Sequence, residues 1–155
     1  MSSNPYGQFI GTPMSDEDID ALLTSTGYGV ISLCREGEPY SIPLSFGYDG
    51  ECVYFGMLED SPHPQKLEYL REGATARLLV TDVHERFDWR SVAIDGPLRR
   101  IDREGDEWEH LVDALEDNAW FMRAFEQSDA VEEIHGWELR IEEIHGVERR
   151  EGDYE

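Results

Sequence analysis

The chain has 155 residues and a mass of 17.8 kDa, room for one domain with a real core, and its 39% hydrophobic content excludes a disordered acidic polymer. Its 35 acidic against 13 basic side chains leave a net charge of −22, which excludes an extended surface for nucleic acid or anionic membrane. Lys66 is the only lysine among the basic residues, a composition expected of a halophilic protein whose self-repulsion is screened by salt.

Residues 1–13 read as an irregular arm, with Asn4-Pro5-Tyr6-Gly7 and Gly11-Thr12-Pro13 as its turns. Ser15, three residues before Asp18, is an N-cap, and Ile19, Leu22 and Leu23 at helical spacing predict a helix from Asp16 to about Ser25, ended by Gly27 and Gly29. Val30–Cys34, a polar turn, and Tyr40–Tyr48 form a hairpin, and Asp49-Gly50 turns into a third strand, Cys52–Met57. Pro43 inside the second run lacks a ladder N–H, so it predicts a bulge or a strand edge.

A short helix around Leu67, Tyr69 and Leu70 ends at Gly73, Ala74–Val80 is a strand, and Asp82–Asp88 is a loop. A long strand then runs from Val92 through Ile101. Trp108, Leu111, Val112, Leu115, Ala119 and Met122 mark an amphipathic helix within Asp102–Phe125. Gln127–Glu133 reads as a loop, Trp137–Glu142 alternates as a final strand, and the tail from Glu148 reads as frayed. The sum is one α+β domain dominated by β structure, a small antiparallel six-stranded barrel flanked by three helices.

Cys34 and Cys52 sit in apolar runs without CxxC spacing and are expected as buried, reduced thiols. Glu-Glu-Ile-His-Gly occurs at 132–136 and again at 142–146, yet no third ligand stands at a metal-site spacing, so no metal is expected. With neither a leader nor an apolar run of ~20 residues, the chain is expected in the cytoplasm and off the membrane.

A barrel of this size takes a ligand at its mouth or at a seam between copies. Pro43, Gly56–Leu58 at a strand end, and the Ser61-Pro62-His63-Pro64-Gln65-Lys66-Leu67 turn gather there. A helix N-terminus with the Ser61 hydroxyl and the Lys66 ammonium suits a phosphate; the alternative is an ordinary surface ion pair at Lys66.

Four ordered segments carry a resemblance: Tyr28-Gly29-Val30-Ile31-Ser32-Leu33; Gly37 through Gly50 with Ser41-Ile42-Pro43-Leu44-Ser45; Val53-Tyr54-Phe55 with Lys66; and Trp89-Arg90-Ser91-Val92-Ala93-Ile94-Asp95-Gly96. The set resembles the pyridoxamine 5′-phosphate oxidase-like FMN-binding split barrels, nearest the nitroimidazole-resistance branch. The resemblance implies a homodimer with FMN at the subunit seam. It lays the backbone of Ile42, Pro43, Leu44 and Ser45 along the flavin ring, puts Ser61 and Lys66 on the phosphate, with Gly56, Met57, Leu58 and Leu67 beside it, and brings in Trp89 and Ser91 from a bordering strand.

Where that branch has a histidine after the strand aromatic, this chain has Gly56, so its activity does not carry over; His63 is the nearby histidine in sequence. Arg77, Arg86 and Arg90 are candidates for a pyridoxal phosphate site by charge alone. Two function classes follow: a flavin-dependent oxidoreductase acting on a small molecule, or a binding module that stores flavin or has turned to heme or a deazaflavin.

Overall fold

A computed structural model of the chain describes residues 11–58, 68–116 and 134–150. Helix α1 (Asp16–Thr26) follows a two-residue strand β1 (Thr12–Pro13), and its cap is as expected: the Ser15 hydroxyl accepts from the Asp18 amide at 3.1 Å. Gly27 ends it with φ 73°, a left-handed turn that costs glycine little. Strands β2 (Tyr28–Arg35) and β3 (Glu38–Ser45) pair in register over eight residue pairs, joined by Glu36 and Gly37, both at positive φ, as a tight right-twisted hairpin requires.

Phe46 separates β3 from the two-residue β4 (Gly47–Tyr48), which pairs with Val53 and Tyr54 of β5 (Cys52–Leu58). Strands β6 (Thr75–Glu85) and β7 (Asp88–Ile101) form a long hairpin that absorbs most of the expected Asp82–Asp88 loop. That loop reading was wrong because pairing between β6 and β7 outlasts the apolar run; only Arg86 and Phe87 form the turn. Helix α2 (Glu107–Glu116) begins five residues after Asp102, and its expected continuation to Phe125 lies outside the described residues.

The last strands are β8 (Ile134–Arg140), three residues earlier than expected, and β9 (Glu143–Arg149). Strand β9 was not expected at all. It pairs with β7 from Trp89 to Asp95 and with β1, so Glu148 and Arg149 belong to the sheet rather than to a frayed tail, and Thr12 and Pro13 leave the arm to join it. Among the described residues there are nine strands and two complete helices, and Glu68 and Tyr69 are helical as well, where the short helix was expected.

The sheet runs β3-β2-β6-β7-β8-β5-β4, with β9 on β7. Its two end strands are consecutive along the chain, separated by Phe46 alone, so the sheet curls until its edges nearly meet. Strand β7 makes this possible by changing partner: it pairs with β9 as far as Asp95 and with β8 from Leu98. Gly96 sits at the changeover, where an added Cβ would lie 1.6 Å from the Arg140 carbonyl oxygen.

Alternation sends Ile31, Leu33, Leu78, Val80, Val92, Ile94, Val53 and Phe55 into the barrel, and Leu22 and Leu23 of α1 pack on that core. Leu111 and Leu115 of α2 pack outside it on Tyr54 and Ile101. Asp49 secures this helix, accepting from His110 Nε2 at 2.8 Å, the Tyr54 hydroxyl at 3.1 Å, and the amides of Glu51 and Cys52. Burial alone would raise the Asp49 pKa, but those hydrogen bonds hold it below the ordinary carboxylate value. Cys34 turns outward and is exposed, against expectation, because the alternation that buries Leu33 must expose its neighbour; Cys52 is half-buried, and both are free thiols.

Candidate functional site

Two strand edges leave the Phe46 corner. Strand β3 pairs only with β2, so its other edge, carrying Ile42–Ser45, is open among the described residues. Strand β5 pairs with β8 along its full length but with β4 only at Val53 and Tyr54, so its edge from Phe55 to Leu58 is open as well. The split in the barrel lies between them. Pro43 stands on this edge strand without any break in register, so the edge reading of that proline holds and no bulge occurs. The side chains of Ile42 and Leu44 are half-buried against the core, while Pro43 is on the outer face.

Ile42–Ser45 and Gly56–Leu58 are thus brought to one opening. Ser61, His63, Lys66 and Leu67 lie outside the described residues. Trp89 and Ser91 are elsewhere. The register Pro43, Val30, Leu79, Ala93 places three interstrand steps, about 14 Å, between β3 and β7. Trp89 packs against Gly11, and Ser91 is half-buried on the outside of the sheet.

That outer face is unusually apolar. Tyr28 is 51% exposed, Val30 37%, Leu79 38% and Val83 69%, and Val30 and Leu79 are directly opposite one another. Polar groups on the same face satisfy each other: the Ser32 and Ser41 hydroxyls are 2.8 Å apart, and Arg77 donates two parallel hydrogen bonds to Asp95 at 2.6 and 2.7 Å. Hydrogen bonding to Arg77 keeps the Asp95 pKa low.

The arginines singled out by charge are engaged elsewhere. Arg77 is held by Asp95, Arg90 donates to Asp82 at 2.6 Å, and Arg86 lies over the Phe87 ring. Sequence reasoning missed Arg71, Arg100 and Arg103, which line two adjoining cavities of about 490 and 410 Å³ at the β5–β8 end of the barrel. The cue was available: Arg99-Arg100 followed by Arg103 is the densest basic stretch near the middle of an acidic chain. The Glu-Ile-His-Gly repeat separates in space, with His135 on β8 opposite Met57 and His145 on β9 opposite Ala93.

The sequence profile of the pyridoxamine 5′-phosphate oxidase family matches residues 15–148, and the chain belongs to that family. Among solved structures, an FAD-binding protein from Mesorhizobium loti superposes with a TM-score of 0.72 at 19% identity, covering 88% of this chain and 96% of that one. The FAD and heme binding protein of Mycobacterium smegmatis gives a TM-score of 0.69 at 25% identity over 89% of this chain and 72% of its own. An uncharacterised protein of Rhizobium meliloti is 22% identical over 88 residues, 57% of this chain and 56% of that protein, so the match spans about half of its length. The family and the antiparallel split-barrel fold inferred from four short segments therefore stand. No helix among the described residues is long and apolar enough to cross a membrane.

Proposed function

We propose that the protein binds FMN in the seam between β3 and β5 as a homodimer, and serves in the cytoplasm as a flavin-dependent oxidoreductase for a small molecule. The observation that carries this reading is the opening itself: two strand edges, at Ile42–Ser45 and Gly56–Leu58, each paired on one side only among the described residues and diverging from one corner. Backbone donors and acceptors left without strand partners need others, and the polar rim of a flavin ring supplies them. An FAD-binding protein of the same fold supports a flavin, while a second solved structure of the fold binds both FAD and heme.

In this arrangement Ser61 and Lys66 hold the phosphate, and Leu67 lies beside them. A second copy docks on the apolar outer face, which carries Trp89 and Ser91 to the seam of its partner; one chain alone keeps them about 14 Å from β3. Bound flavin supplies the electron-transfer chemistry, and the chain's task is to bind, orient and shield it.

Anaerobic addition of NADH or NADPH to the FMN-loaded protein tests the enzyme reading. Bleaching of the flavin absorbance, followed by reoxidation on adding an acceptor, is the expected result. Flavin that stays oxidised with every donor assigns the protein to flavin storage instead.

A further inference from the structure

Strands β6 and β7 outrun their neighbours. Strand β2 pairs with β6 only from Ala76 to Leu79, and β9 stays beside β7 only as far as Trp89, yet β6 and β7 pair with each other out to Glu85 and Asp88. The stretch of β6 from Leu79 to Glu85, about 20 Å long, is thus one side of an arm that ends in the turn at Arg86 and Phe87. A register shift between Val83 and Glu85 bends the arm, as a bulge in an antiparallel pair does.

Its outer side is apolar. Val83 is 69% exposed there, continuing the row of Tyr28, Val30 and Leu79, and Phe87 at the tip is 37% exposed. The guanidinium groups of Arg86 and Arg149 lie over the Phe87 ring, 5.0 and 4.7 Å from its centre, and hold the ring at the end of the arm. A strand pair that projects from a sheet with large apolar side chains uncovered marks an interaction surface. Because this row is continuous with the face on which a second copy is proposed to dock, that copy is the occupant the arm fits.

We infer that the arm of each copy closes over the β3–β5 seam of the other, where Arg86 and Phe87 complete the flavin site; this rests on the flavin seam and the second copy proposed for this chain. In one chain β3 lies two interstrand steps from β6, about 10 Å, and the seam opens just beyond β3. When two sheets pack face to face with their strands near right angles, the strand direction of one copy is the across-strand direction of the other. Centred on Leu79, an arm of about 20 Å then passes the β3 edge of the other copy by about 10 Å and overhangs its seam. Aligned strands would carry the arm past the end of the other sheet and leave the seam open. The arm runs along its own strands, not across them, so its own seam is out of reach.

Cross-linking between copies tests it in multimolar KCl. In a C34S/C52S background, R86C puts a thiol on the tip and P43C puts one on the β3 lip of the seam; within one chain these positions are about 20 Å or more apart, beyond a bis-maleimide of about 15 Å. A covalent dimer is expected from the two proteins co-expressed, and from neither alone. FMN titration of R86A/F87A, two exposed positions in a turn, is expected to show affinity lower by about tenfold or more with the dimer mass unchanged. Cross-linking in a dimer that binds no FMN sinks the flavin reading and upholds the arm over the opening. A dimer that binds FMN without cross-linking, or equal FMN affinity in wild type and R86A/F87A, overturns the inference, and a wild-type monomer overturns the arm together with the second copy.

Discussion

Leu79→Glu probes the docking of a second copy. In a single chain Leu79 is 38% exposed beside Val30, so a glutamate there keeps its carboxylate in water and costs about 1 kcal/mol or less, mostly through strand preference. In a twofold dimer over this face, each copy buries an uncompensated carboxylate. At about 3 kcal/mol for each, the pair weakens association by about 6 kcal/mol, or about 10⁴ in dissociation constant. Light scattering in multimolar KCl reads the mass, and thermal melting shows that the variant still folds. The expected result is a dimer for wild type and a folded monomer for the variant, with FMN affinity falling in parallel because Trp89 and Ser91 no longer arrive from the partner. A wild-type monomer, or a variant that stays dimeric, refutes the argument.

Gly96→Ala places a methyl group 1.6 Å from the Arg140 carbonyl oxygen, so it must force β7 off β8; a loss of about 3 kcal/mol or more is expected, and an unchanged melting temperature would show that the changeover is not a tight one. Asp49→Asn removes the charge that His110, Tyr54 and two amides surround, and is expected to cost about 1–2 kcal/mol at neutral pH. Because the folded-state pKa of Asp49 lies below its unfolded value, this advantage is full above about pH 4 and fades as the pH falls further; pH-dependent melting of both proteins measures the difference. With a net charge of −22, lowering KCl is expected to lower the melting temperature, and a melting temperature independent of KCl would reject the halophilic reading.

Local signals were the legible ones. Ser15 and Gly27 bound α1, and the polar turn before β3 takes the positive φ angles that a short hairpin loop demands. Pro43 announced a bulge or an edge, and the edge that occurs is half of the candidate seam. Long-range pairing was not legible. Glu143–Arg149 carries charged residues at both ends and little apolar alternation, and becomes a strand only because β7 on one side and β1 on the other satisfy its backbone. The β6–β7 hairpin extends past its apolar core for the same reason.

For the site, the family resemblance suggested one cluster, whereas the sheet separates Trp89 and Ser91 from β3 by three strand spacings. The proposed second copy is what reunites them. The cleft lined by Arg71, Arg100 and Arg103 escaped notice because these residues come from separate turns and strands, and only packing brings them together.

Direct titration of the purified protein with FMN in multimolar KCl tests the central claim, read by the change in flavin absorbance and fluorescence. Saturable, stoichiometric binding is predicted, weakened by a few kcal/mol in Lys66→Ala through loss of a charge-assisted phosphate contact. A folded wild-type protein that leaves the flavin spectrum unaltered at every concentration would contradict it.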